Sequence, residues 1–169
     1  MKMTSAEANK MLRQLNAERG ALLAKEEKSC TFLAVMGEDP DTVRPAYDYD
    51  GVQDALREMD WKIRVLKHGI FMFNMNTTVP EFDMTIDELL IYLPQLTARV
   101  SKFEQMAARL PKEREQSAFR GPSNFVDYRY ANYDIDKAEA DYKEASDMLA
   151  LAQTALDKLN STLEFEVEL

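Results

Sequence analysis

Residues 134–163 read DIDKAEADYKEASDMLALAQTALDKLNSTL. The twenty-seven residues from Ile135 to Ser161 contain neither Gly nor Pro. Ile135, Ala138, Tyr142, Ala145, Leu149, Ala152, Leu156 and Leu159 recur at steps of three and four, which puts one apolar stripe on a helix. Such a helix is roughly 40 Å long at about 1.5 Å per residue, so its stripe needs partners of similar length, from this chain or from a second copy. The rest of the chain reads as cover for it.

With 169 residues and 46% hydrophobic content, the chain is long enough for a single helical domain, residues 1–169, with a real core. Glycine (5) and proline (6) are too scarce for a many-stranded sheet. The expected fold is mainly α: a four-helix bundle or long helical hairpins, with a small β ribbon of two or three short strands. A formal net charge of −9 argues against direct nucleic-acid binding, which needs a basic surface over the phosphates. The acidity serves solubility, or it forms a face for a protein partner with a basic surface. The lone cysteine, Cys30, excludes an intramolecular disulfide framework, and no Cys/His cluster is available for zinc. A reducing cytoplasm fits this usage. Residues Met1–Glu7 carry no apolar signal core, and no window reaches ~18 apolar residues, so neither export nor membrane spanning has support.

Thr4, with Glu7 three residues on, predicts a capping box. Ala8, Met11, Leu12, Leu15, Ala21, Leu22, Cys30, Leu33 and Ala34 extend the first helix to about residue 35, with Gly20 marking a close crossing or a local weakness. Gly37 ends that helix, and an acidic loop occupies 37–50. Asp50 is expected to cap a second helix in which Val52, Leu56, Met59, Ile63 and Leu66 keep a coiled-coil spacing as far as His68, before Gly69. Residues 70–83 read as an extended, buried connection. Thr85 and Glu88 open a third helix, whose stripe runs from Ile86 to Met106, and Pro94 should kink or divide it. A charged crossover spans 111–124. Strands are expected at 125–133 and, with stricter alternation, at 162–169. Joined by the long helix, these two would be parallel if they shared a sheet, or else would belong to different edges. A third strand is implied, from Ile70–Asn74 or from a neighbouring subunit.

No constellation here carries chemistry. A single histidine cannot assemble a di-metal bundle site, and no nucleophile-elbow, phosphate-loop, dinucleotide or calcium-loop pattern occurs. No catalytic residue, metal ligand or cofactor is therefore assigned. His68 is read as a partner for the negative end of the second helix, and Cys30 as a small core residue. Two surfaces stand out instead. Tyr128, Arg129, Tyr130, Asn132 and Tyr133, together with Asn74 and Asn76, combine apolar area with polar tips, as interfaces do. Glu38, Asp39, Asp41, Asp48, Asp50, Asp54, Glu58 and Asp60 form a candidate acidic face, opposed in that stretch only by Arg44 and Arg57.

The run Asn74-Met75-Asn76-Thr77-Thr78-Val79-Pro80, followed by Met84-Thr85-Ile86-Asp87-Glu88-Leu89-Leu90 and Leu93-Pro94-Gln95-Leu96, resembles the septicolysin-like family of bacterial proteins. So do Asn132-Tyr133-Asp134, the helix with Gln153-Thr154-Ala155-Leu156-Asp157, Asn160 and the short acidic strand after it. The chain departs from that pattern at 37–50 and at Pro94. The resemblance implies a helix-dominated bundle that self-associates, with no established catalytic activity and no accepted site to carry over. No segment suits bilayer insertion. The reading is thus a non-enzymatic, self-assembling or protein-binding helical protein of bacterial or phage type, and a homo-oligomer. The alternative is an acidic inhibitor that mimics nucleic acid on a host or defence protein.

Overall fold

A computed structural model describes residues 1–115 and 127–169. The fold is mainly α, with short antiparallel strand pairs. In chain order the described elements are β1 (Lys2–Thr4), α1 (Ser5–Ser29), α2 (Pro40–Val43), α3 (Tyr49–Asn76), β2 (Thr78–Val79), β3 (Met84–Thr85), α4 (Ile86–Ala107), β4 (Lys112–Arg114), β5 (Tyr128–Tyr130), α5 (Ile135–Thr162) and β6 (Glu164–Glu166). Contacts group these into two compact units, one made of Met1–Thr77 with Lys158–Leu169 and one of Thr78–Asp157.

In the first unit, α1 and α3 form an antiparallel hairpin. Its starting signal is the expected one: Thr4 Oγ1 accepts the Glu7 amide, and the Glu7 carboxylate accepts the Thr4 amide at 2.9 Å. On α3, Leu56, Ile63, Leu66 and Phe73 are buried, with the half-buried Val52, Met59 and Ile70 completing steps of four and three. On α1, Leu12, Leu15, Arg19, Leu22 and Glu26 face them at the same alternation. Two polar contacts fix the register. Arg19 Nε donates to Asp60 Oδ1 at 2.6 Å, and Gln53 Nε2 donates to Glu26 Oε1 at 2.7 Å, so seven residues forward on α1 match seven back on α3.

The end of this unit is closed by β6 pairing antiparallel with β1, Met3 opposite Phe165. Met3 of β1 and Val167, just past β6, join Ala8 and Leu66 in one buried cluster, with Phe165 of β6 packed against it. Phe165 also stacks on Phe73, ring centroids 5.0 Å apart. Gly69 explains why the ribbon can lie so close. A Cβ there would stand 3.2 Å from both Phe165 Cε2 and Val167 Cγ2. The glycine is an approach point inside α3 and does not end it. Gly20, by contrast, has nothing within 4 Å of an added Cβ, so no crossing requires it.

In the second unit the turn between β2 and β3 leads into α4. Thr85 and Glu88 form the second expected capping box, and the Thr85 amide and hydroxyl hold the Glu88 carboxyl below the usual carboxylate range. Ile86, Leu89 and Leu96 are buried along with Val79. Pro94 lies inside α4, which runs on through it without dividing. The backbone bond it removes would have ended on Leu90, a residue on the exposed side, so water can take that carbonyl. The β5 strand pairs with β4, Tyr130 opposite Lys112 and Tyr128 opposite Arg114. Tyr133 donates its hydroxyl to Met106 O at 2.8 Å, satisfying a carbonyl in the last turn of α4. Asp134 Oδ1 accepts the Asp136 amide at the start of α5, where Ala138, Ala145, Ala152 and Leu156 of the stripe read from the sequence are buried, with Ala155 beside them.

Several expectations are corrected. The first helix stops at Ser29, because Cys30 caps it and the apolar residues beyond are not helical. The cap of α3 is Asp48, whose Oδ1 accepts the Gly51 amide at 3.0 Å, and not Asp50. That helix continues past His68 to Asn76, so residues 70–76 are neither extended nor a third strand. The loop 37–50 contains a turn of helix, and Lys112–Arg114 in the charged crossover is a strand. The two expected strands lie in different ribbons, each with an antiparallel partner within the chain. Residues 116–124 of the crossover, with Phe125 and Val126, fall outside the described residues.

Replacing Gly69 by Leu should over-pack the contact with Phe165 and Val167 and cost roughly 1–3 kcal/mol. Replacing Gly20 by Ala should stabilise by about 1 kcal/mol, from helix propensity alone. Urea titrations should therefore move the two midpoints in opposite directions.

Candidate functional site

The α1–α3 hairpin ends in a tip that displays apolar side chains. The Cys30 amide donates to Glu26 O at 2.8 Å and closes α1, after which residues 31–36 form neither helix nor strand. Gly37, at φ +92°, turns the chain so that the Glu38 amide reaches Val35 O at 3.0 Å. The Glu38 carboxylate in turn accepts the Val35 amide at 3.1 Å. Bracing of this kind leaves Leu33 96% exposed, Val35 73% exposed and Met36 wholly so. Phe32 is better covered, because the Arg44 guanidinium lies 5.3 Å above its ring while pairing with Asp41 at 2.9 Å.

Behind the tip is a groove of about 530 Å³ lined by Leu22, Lys25, Glu26, Ser29, Ala46, Tyr47, Asp48 and Val52. At its wall, Tyr47 donates its hydroxyl to Glu26 Oε1 at 2.6 Å, onto the same oxygen that Gln53 reaches. The bond to the carboxylate, aided by partial burial, pushes the Tyr47 hydroxyl up to about 12. Near pH 7 the phenol therefore stays protonated and engaged with Glu26. What the contact does is tie the segment after α2 to the end of α1.

The eight acids of the candidate acidic face all lie in the first unit, and most have local structural work. Glu38 braces the tip, while Asp39 and Asp48 cap α2 and α3. Asp41 pairs with Arg44, Asp54 with Arg57, Glu58 with Lys62 and Asp60 with Arg19. Asp50 sits in the first turn of α3, where the dipole favours it.

The tyrosine cluster lies in the second unit on the β4–β5 ribbon and after it. Tyr128 and Tyr130 share one face, with Lys112 Nζ 4.1 Å and 5.5 Å from their ring centroids. Arg129 points to the other face, where its Nε meets Glu115 Oε2 at 2.8 Å and draws that carboxyl below the usual carboxylate range. Tyr133 is committed to Met106, and Asn132 is exposed. Asn74 and Asn76 belong to the other unit, in the last turns of α3, where Asn76 donates to Met72 O at 2.7 Å.

Two single-residue expectations are overturned. Cys30 is exposed rather than in the core, since α1 ends there. His68 is exposed in the body of α3 and meets no helix end. The tip residues Phe32–Met36 were not singled out from the sequence. Their signal was present, as an unbroken apolar run, Phe32-Leu33-Ala34-Val35-Met36, just before Gly37-Glu38-Asp39-Pro40. Among the described residues, no group of three or more His, Cys, Asp or Glu side chains is placed to hold a metal ion, and no helix is long and apolar enough to cross a membrane.

The Tyr47 contact fixes a pH dependence. A hydroxyl raised from its ordinary value of 10 to about 12 contributes stability that is fully present below pH 10 and is lost as pH rises towards 12. Absorbance titration of the tyrosines should show one late phenolate step, and Tyr47→Phe should abolish that step and leave the rest.

No protein-family model matches the chain, and neither does any curated protein. Among solved structures, the fold is similar to that of a functionally unknown conserved protein from Corynebacterium diphtheriae. The two are 19% identical, with a TM-score of 0.61, over 98% of this chain and 100% of the other. At that identity the likeness shows the fold alone.

Proposed function

We propose that this chain is a non-enzymatic protein that acts by self-assembly through the tip of its α1–α3 hairpin. The observation that carries the reading is the exposure of Leu33, Val35 and Met36 on a segment held by Gly37, Glu38 and Tyr47. Exposed apolar side chains presented together mark interaction sites, and a braced segment loses less entropy on binding than a slack one. The septicolysin-like resemblance, with its implied self-association, points the same way. A reducing cytoplasm suits a chain whose single thiol, Cys30, is exposed.

The acidic-inhibitor reading draws less support. A nucleic-acid mimic needs carboxylates free to replace phosphates, whereas seven of the eight acids are engaged in caps, braces or ion pairs.

Light scattering coupled to size exclusion at micromolar concentration tests the proposal. The wild-type chain should elute as an oligomer, and Leu33→Asp combined with Met36→Asp should return the protomer mass with an unchanged helical circular dichroism spectrum. A strictly monomeric wild type overturns it.

A further inference from the structure

The α3 helix carries a second stripe, on the side opposite its buried one. Trp61, Arg64, His68, Met72 and Met75 follow steps of three, four, four and three, all exposed. Phe71, 52% exposed, flanks them, as does Lys67. The stripe is apolar and basic within a chain of net charge −9. Among the described residues no carboxylate pairs with Arg64 or Lys67, although α3's other cations, Arg57 and Lys62, do have partners. Methionine and tryptophan give such a surface adaptable, large-area contacts.

The tip has the complementary character. Leu33, Val35 and Met36 are bordered by Glu38, Asp39 and Asp41, with Arg44 the one cation in residues 31–50. It cannot fold back onto its own stripe. Tyr47 and Gln53 hold it at the start of α3, and the thirteen steps from Asp48 to Trp61 span about 20 Å of helix.

We infer that the self-association proposed above, on which this inference rests, is head to tail: the acidic, apolar tip of one copy docks on the basic, apolar outward stripe of α3 in the next. Pairing tip with tip would set Glu38 and Asp39 against their own copies, and pairing stripe with stripe would do the same to Arg64 and Lys67. Like charges juxtaposed in an interface oppose binding, so the contact that satisfies both surfaces joins unlike ones. Such a contact closes into a ring or extends as a filament.

Mixing two variants tests this. Leu33→Asp with Met36→Asp removes the tip and leaves the stripe; Trp61→Asp with Met72→Asp removes the stripe and leaves the tip. All four positions are exposed, and circular dichroism checks that each variant keeps its helices. Each alone should be monomeric by light scattering, and an equimolar mixture should form a one-to-one dimer, because one good tip meets one good stripe. Charge reversal at Arg64→Glu and Lys67→Glu should weaken wild-type assembly by roughly tenfold or more at low salt, with a smaller loss at high salt. If the stripe variant still assembles alone, or the mixture stays monomeric while the wild type is oligomeric, the head-to-tail contact is overturned and self-assembly stands. A monomeric wild type overturns both.

Discussion

The structure of the first unit depends on the alternation of threes and fours shared by α1 and α3. Apolar groups alone would let two such helices slide by a turn, since Leu, Ile and Met tolerate one another's positions. Arg19 with Asp60 and Gln53 with Glu26 remove that freedom, because a shift of one turn would leave a carboxylate and an amide on the seam unpaired. Once the register is set, the position of the tip follows, and so does that of Gly69 beneath the terminal ribbon.

That register also explains why the end of the hairpin can be apolar without being loose. Glu26 takes hydrogen bonds from both Tyr47 and Gln53 on one oxygen, so the return segment is anchored to the same residue that aligns the helices. Bulky side chains beyond it are held outward by short-range contacts within the loop, and few of those contacts would have to break for a partner to bind. The acids nearby shape the loop as much as they charge it.

Much of the fold was legible because helix signals are local. Both capping boxes, the Ala-rich stripe of α5 and the seam of α3 up to Leu66 follow from spacing alone. The misreadings share one cause, which is that a residue's local meaning was set by distant packing. Gly69 looks like a stop, yet Ile70 and Phe73 continue the alternation, and the glycine is there because Phe165 and Val167 arrive from almost a hundred residues away. Leu33 and Ala34 fit a helical step by accident, and only the absence of a facing partner reveals it. The pairing of β6 with β1 was invisible for the same reason, as three residues at the start of a chain carry too weak an alternation to announce a strand. For the candidate surfaces, residue types picked out Tyr128, Arg129, Tyr130, Asn132, Asn76 and the eight acids, all of which are exposed, together with Tyr133 and Asn74, which are half-buried. They could not separate carboxylates that cap and brace from carboxylates that are free.

The ribbon of β1 and β6 joins residues 160 or more positions apart, as in the pair of Lys2 and Glu166, whereas the hairpin joins helices separated by about twenty. Closing the longer loop costs more chain entropy and offers only three ladder positions in return. In refolding, the α1–α3 hairpin should therefore form early and the terminal ribbon settle late, so that β6 is the segment whose amide protons exchange soonest in an otherwise protected unit.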